Sequence, residues 1–66
     1  MREQMLNAIK AHAQGHIDKH VVNVEIYLER GVGVAEHPDV IDSIEKELEE
    51  IAKYDDQLAM LDKYFS

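Results

Sequence analysis

The sequence predicts an all-α fold: an antiparallel hairpin of two long helices that pairs with a second copy into a four-helix bundle. Three observations carry that expectation. Gly31, Gly33 and Pro38 fall together in GVGVAEHPD, and the remaining glycine is Gly15. On either side of this break apolar residues recur at three- and four-residue intervals, the period of a helix. The two flanking segments are matched, each spanning roughly 40 Å as helix at 1.5 Å per residue.

The first helix is expected from about residue 2 to residue 30. Met5, Leu6, Ile9, Ala13, Ile17, Val21, Val24, Tyr27 and Leu28 share one face, with Gln4, Asn7, Gln14, Asp18, Glu25 and Glu29 opposite. Val21-Val22-Asn23-Val24 is β-branched, which makes a strand the local alternative, yet the stripe passes through it without a change of phase. Gly15 costs about 1 kcal/mol relative to alanine in a helix. Close packing and a local bend are both readings of it. Gly31 suits the left-handed position that often ends a helix.

A loop over 31–37 leads to a second helix over about 38–64. Pro38 suits the first helical position, with His37 or Glu36 at the cap. Asp39 and Asp42 then meet the positive end of the helix dipole. Val40, Ile41, Ile44, Leu48, Ile51, Leu58 and Phe65 share a face, with Ala52 and Ala59 at its edge. Asp42 with Lys46 and Glu49 with Lys53 have the i,i+4 spacing of helix ion pairs.

A short connection between long helices implies the antiparallel hairpin. Two helices cover only part of each other's apolar stripe, and a chain of 66 residues has a marginal core. The stripe around Leu6, Ile17, Val21, Val24 and Leu28 is wider than one partner helix needs. These five residues are the expected oligomer interface. A dimer of hairpins is the simplest assembly, and a long trimeric coiled coil is the alternative.

Composition excludes several functions. Fourteen acids against seven bases give a net charge of −7. Such a chain lacks the basic face that neutralises phosphates or anionic membranes. It has no cysteine for a disulfide, a thiolate zinc site or a thiol nucleophile. No apolar run reaches the roughly 18–20 residues of a membrane span. MREQMLNAIK lacks the apolar segment of a secretory signal, so a cytoplasmic protein is expected. Phosphate loops, dinucleotide fingerprints, H-E-x-x-H and G-x-S-x-G are absent, so the chain does not read as an enzyme. Glu47-x-x-Glu50 is half of the paired acidic metal motif of all-α nucleotide pyrophosphatases, without a second half.

Charge is unevenly distributed. Residues 1–30 are neutral, and residues 31–66 hold three bases and ten acids. His12, His16 and His20 repeat at intervals of four, a row that drifts only about 40° per step. His16 and His20 fall inside the apolar face, and His12 lies at its border. Asp55 and Asp62 interrupt the facing stripe of the second helix, so these five residues are the expected polar core. If residues near 30 and 39 face each other, Asp55 lies level with residue 14 and Asp62 with Asn7.

That cluster has three readings. A hydrogen-bonded His–Asp layer fixes register, as a polar core position does in coiled coils. A metal site for zinc or another transition ion takes His12, His16 and Asp55, with His20 as a further ligand. A pH switch follows if the histidines pair with ionised Asp55, which puts the stability maximum on the mildly acidic side of neutrality. A neutral, desolvated His16 gives the opposite slope. No cofactor is favoured. His37 is expected to be solvated or capping, and Tyr54 and Tyr64 to be oligomer contacts. Glu45, Glu47, Glu49 and Glu50 read as a solvated face, or else as a mimic of nucleic-acid charge.

The stretch AHAQGHIDKHVVNVEIYLE, with GVGVAEHPDVIDSIEKELEEIAKYDDQL after it, resembles short proteins of contractile-tailed marine cyanophages and ocean environmental sequence. The resemblance covers most of the chain and brings no activity and no catalytic residues. It implies an accessory or virion-associated protein in the cytoplasm of an infected bacterium. The expected function is therefore protein–protein contact by a small acidic homo-oligomer, with a host or phage protein as a further partner. The alternatives are a His/Asp metal-binding bundle and an acidic decoy for a nucleic-acid-binding protein.

Overall fold

A computed structural model describes residues 1–30 and 39–66. Helix α1 runs Arg2–Arg30 and helix α2 runs Val40–Phe65. They pack along their length as an antiparallel hairpin, a rod 51 Å long and 16 by 12 Å across. The expected hairpin is the observed one. The β-branched run at Val21 to Val24 stays helical, as the unbroken stripe requires. Among the described residues there is no strand. The expected roles of Gly31, His37 and Pro38 lie outside the described residues.

Both helices are oriented by charge as well as by burial. Glu3 lies in the first turn of α1 and Arg30 in its last; Asp42 and Lys63 hold the equivalent places in α2. Each sign opposes the nearby dipole end. Asp39 occupies the N-cap of α2 without a side-chain capping bond, and the Ser43 amide donates to its carbonyl at 2.9 Å. At the open end Arg2 Nη2 donates to the Phe65 carbonyl at 2.9 Å, closing the chain's two ends on each other.

The seam between the helices follows a 3.5-residue repeat, the geometry of antiparallel coiled coils. On α2 the positions are Val40, Ile44, Glu47, Ile51, Tyr54, Leu58, Leu61 and Phe65; on α1 they are Leu6, Ile9, Ala13, His16, His20, Asn23 and Tyr27. Ala13 alone is fully buried among the described residues. Its methyl lets the helices approach, but one alanine is a very small core. The hairpin is a seam, not an interior.

Two helix-level expectations change. The exposed ion pair on α2 is Lys53 with Glu50 at 3.0 Å, not Glu49. Being exposed, it adds little stability. Gly15 does not serve close packing: a Cβ placed there meets nothing within 4 Å, and its φ is not positive. Alanine should therefore fit without strain and stabilise the hairpin by about 0.8–1 kcal/mol. A thermal melt of Gly15→Ala should show an increase of roughly 4–8 °C. A decrease would mean that the glycine is needed for something the hairpin alone does not reveal.

Candidate functional site: a polar layer in the helix seam

The middle of the seam is polar. His20 Nδ1 donates to Glu47 Oε2 at 2.5 Å, and Asn23 Nδ2 donates to Glu47 Oε1 at 2.8 Å. One carboxylate on α2 thus accepts from two side chains one turn apart on α1. His20 and Glu47 keep only 12% and 17% of their side-chain surface exposed. A carboxylate this covered must be hydrogen-bonded on both oxygens to be tolerated. These two donors hold the Glu47 carboxyl below its ordinary pKa of 4.5, the His20 bond first, against an upward push from burial.

One layer toward the open end, His16 stacks on Tyr54 of α2, with ring centroids 4.4 Å apart and planes at 14°. His12 meets His16 edge-on at 4.4 Å and Tyr54 edge-on at 6.0 Å. The His12 and His16 Nε2 atoms are 3.1 Å apart, so one donates to the other. His16 Nδ1 is buried without a partner. A bare acceptor is cheaper to leave there than an N–H, which places the His16 proton on Nε2, donating to His12. Desolvation, then the charges of His12, Lys19 and His20, lower the His16 pKa below 6.5, opposed by Glu50.

The histidine row is assembled as expected, but its partners are not. His16 and His20 lie in the seam and His12 at its rim, whereas Asp55 and Asp62 are exposed. They are not part of a polar core. The expected register sets Asp55 at the right height and on the wrong side: at the level of His16 the residue turned inward is Tyr54. About 100° of rotation per residue separates the two. His12, His16 and Asp55 consequently form no three-ligand site, and among the described residues no three His, Asp or Glu side chains are placed to hold a metal.

Glu47, Asn23 and Tyr54 are the seam residues that sequence reasoning misses. Glu47 reads there as one more carboxylate in a solvated acidic run. The 3.5-residue spacing from Val40 and Ile44 through Ile51 and Leu58 is the signal that marks both Glu47 and Tyr54 as seam positions. Of the expected interface residues, Leu6, Ile17 and Val24 are partly covered by α2, while Val21 and Leu28 stand exposed. Comparison with protein families, curated proteins and solved structures finds no match. No helix among the described residues is long and apolar enough to cross a membrane.

These protonation preferences set a pH dependence. His16 has its folded pKa below the unfolded value, so the unfolded chain binds protons first and stability falls as pH drops below about 6.5. Glu47, also depressed, adds stability that is present above its unfolded pKa of 4.5 and lost as pH falls through the folded one. Both slopes have the same sign, opposite to that of the histidine in an Asp55–histidine pair. Melting temperature should decline steadily from pH 7.5 to 4, with the upper part of the decline flattened in His16→Gln and the lower part in Glu47→Gln. A melting temperature that rises between pH 7.5 and 5.5 would overturn the assignment.

Proposed function

We propose that the hairpin is a homodimeric interaction module whose working form is a four-helix bundle, built by pairing its apolar face with that of a second copy. The observation that carries this reading is surface area. The chain exposes 5227 Å². A compact monomer of 7.6 kDa exposes about 4,300 Å². The excess of roughly 900 Å² is close to the ~800 Å² that each partner contributes to a standard stable interface.

Part of this surface is a set of adjoining aliphatic side chains on one side. Beside the seam, Ile17, Val21, Val24 and Leu28 flank α1, and Ile41 and Leu48 flank α2 on the same side of the hairpin. Leu28 is 58% exposed and Ile41 70%. The other side is mixed: its rows carry His12, Lys19, Ser43, Glu50 and Gln57 along the middle and exposed Met5, Ile26 and Tyr64 toward the ends. A patch of adjoining exposed branched side chains is the kind of surface that a contact covers. A twofold axis along the helices sets α1 of one copy against α2 of the other, antiparallel, so that every neighbouring pair in the bundle is antiparallel. Asp55 and Asp62 continue the α2 flank at seven-residue steps below Ile41 and Leu48. In this arrangement they approach Lys10 of the second copy, which supplies the opposite charge.

The bundle then presents two mixed faces outward, available to a host or phage protein in the infected cell that the sequence resemblance implies. The acidic decoy has less support. Glu47 is turned into the seam and Glu50 pairs with Lys53, so the run of four carboxylates is not one free surface.

Equilibrium sedimentation at micromolar concentration should return about twice 7.6 kDa. Val21→Glu and Leu28→Glu replace exposed residues, so each should weaken the dimer by more than about tenfold while leaving the hairpin's seam intact. A well-folded wild-type monomer under these conditions would refute the proposal.

A further inference from the structure

We propose that His12 and His16 form a two-histidine chelate for a divalent transition ion, with copper(II) and nickel(II) preferred over zinc. Their Nε2 atoms converge to 3.1 Å across one helical turn. With metal–nitrogen bonds of about 2.0–2.1 Å, that separation subtends roughly 98° at an ion, within reach of the roughly 90° between neighbouring ligands of a tetragonal or octahedral centre, and the choice of ion rests on the affinity order of imidazole sites. The rings are already held in this attitude. His16 lies flat on Tyr54, and His12 is set edge-on to both rings.

The surroundings define the kind of site. The two histidines line an open groove of about 290 Å³ with Ala11, Gly15 and Lys19. Gly15 contributes no side chain, and a Cβ there would meet only open space. His20, the next histidine of the row, is committed to Glu47. Two imidazoles and no carboxylate leave the remaining positions to water. That donor set suits ions that bind imidazole strongly and accept square or octahedral geometry, and it lacks the four protein ligands of a structural zinc site.

Two features limit affinity. A metal on Nε2 moves the His16 proton to Nδ1, which is buried without an acceptor. The Lys19 ammonium in the groove also repels a cation. Binding is therefore expected in the micromolar range.

The site lies on the polar side of the hairpin, away from the surface proposed for dimerisation, so the two proposals fail separately. Copper(II) chloride titrated into the intact chain, followed by calorimetry and electron paramagnetic resonance, should show one ion per chain with nitrogen hyperfine structure from two imidazoles. His12→Gln, at an exposed position, should keep the helical circular-dichroism signal and weaken binding by more than about tenfold. His37→Gln should bind like wild type, and so should Val21→Glu. Undiminished binding in His12→Gln, loss of binding in His37→Gln, or no binding by the wild type would each overturn the proposal.

Discussion

The acceptance of two hydrogen bonds by Glu47, from His20 and Asn23, is the interaction on which the rest of the hairpin depends. A two-helix rod has one seam, and apolar side chains alone slide along a seam with little change in energy. A carboxylate covered by the opposite helix does not slide. Moving α2 by one turn would strip Glu47 of both donors while leaving it partly desolvated, a penalty far larger than that of repacking any single apolar side chain. The polar layer gives up some stability relative to a leucine pair and in return selects one register, as buried polar positions do in coiled coils. The Arg2–Phe65 bond at the open end lies in that same register.

What is legible in the sequence divides by scale. The two helices and their antiparallel pairing follow from one Gly/Pro-rich break and an unbroken helical period, because those signals are local and strong. The height of each residue along the hairpin is also legible, since a short loop fixes it. The rotation of α2 is not. Its apolar residues occupy two rows: Ile44, Ile51 and Leu58 face α1, whereas Ile41 and Leu48 stand exposed beside the seam. The centre of the combined stripe is drawn toward the flank, the row that Asp55 and Asp62 continue. A centroid taken over both therefore makes two flanking carboxylates look like core residues and sends Glu47 to the solvent. When apolar residues occupy both a seam and an exposed flank, the stripe gives the sum of the two directions and not either one.

The same double use accounts for the sparse interior. One fully buried alanine is too little to hold 66 residues, and the seam has room for few large side chains because His16, His20, Asn23 and Glu47 occupy its middle. The apolar material displaced from the seam is not missing from the chain. It stands on the flank, at Ile17, Val21, Val24 and Leu28 on one helix and at Ile41 and Leu48 on the other. A polar seam and an apolar flank are thus complementary parts of one design: the first sets how the helices are aligned, and the second gives the aligned pair a surface that water disfavours.

That division also bears on where function can sit. On the flank of Ile17, Val21, Val24, Leu28, Ile41 and Leu48 the side chains are aliphatic, and Asn7, Lys10, Gln14, Asp55 and Asp62 continue the same rows toward the open end. The opposite side carries the groups with lone pairs and titratable protons: His12, His16, Lys19, Glu50, Lys53 and Tyr54. There the aromatic rings pack against one another rather than against solvent, and an imidazole nitrogen is left buried and unpaired. Such a nitrogen is a cost set against the stacking of the same ring on Tyr54. A histidine at that point makes physical sense if its other nitrogen is used, and the atom nearest to it is the Nε2 of His12.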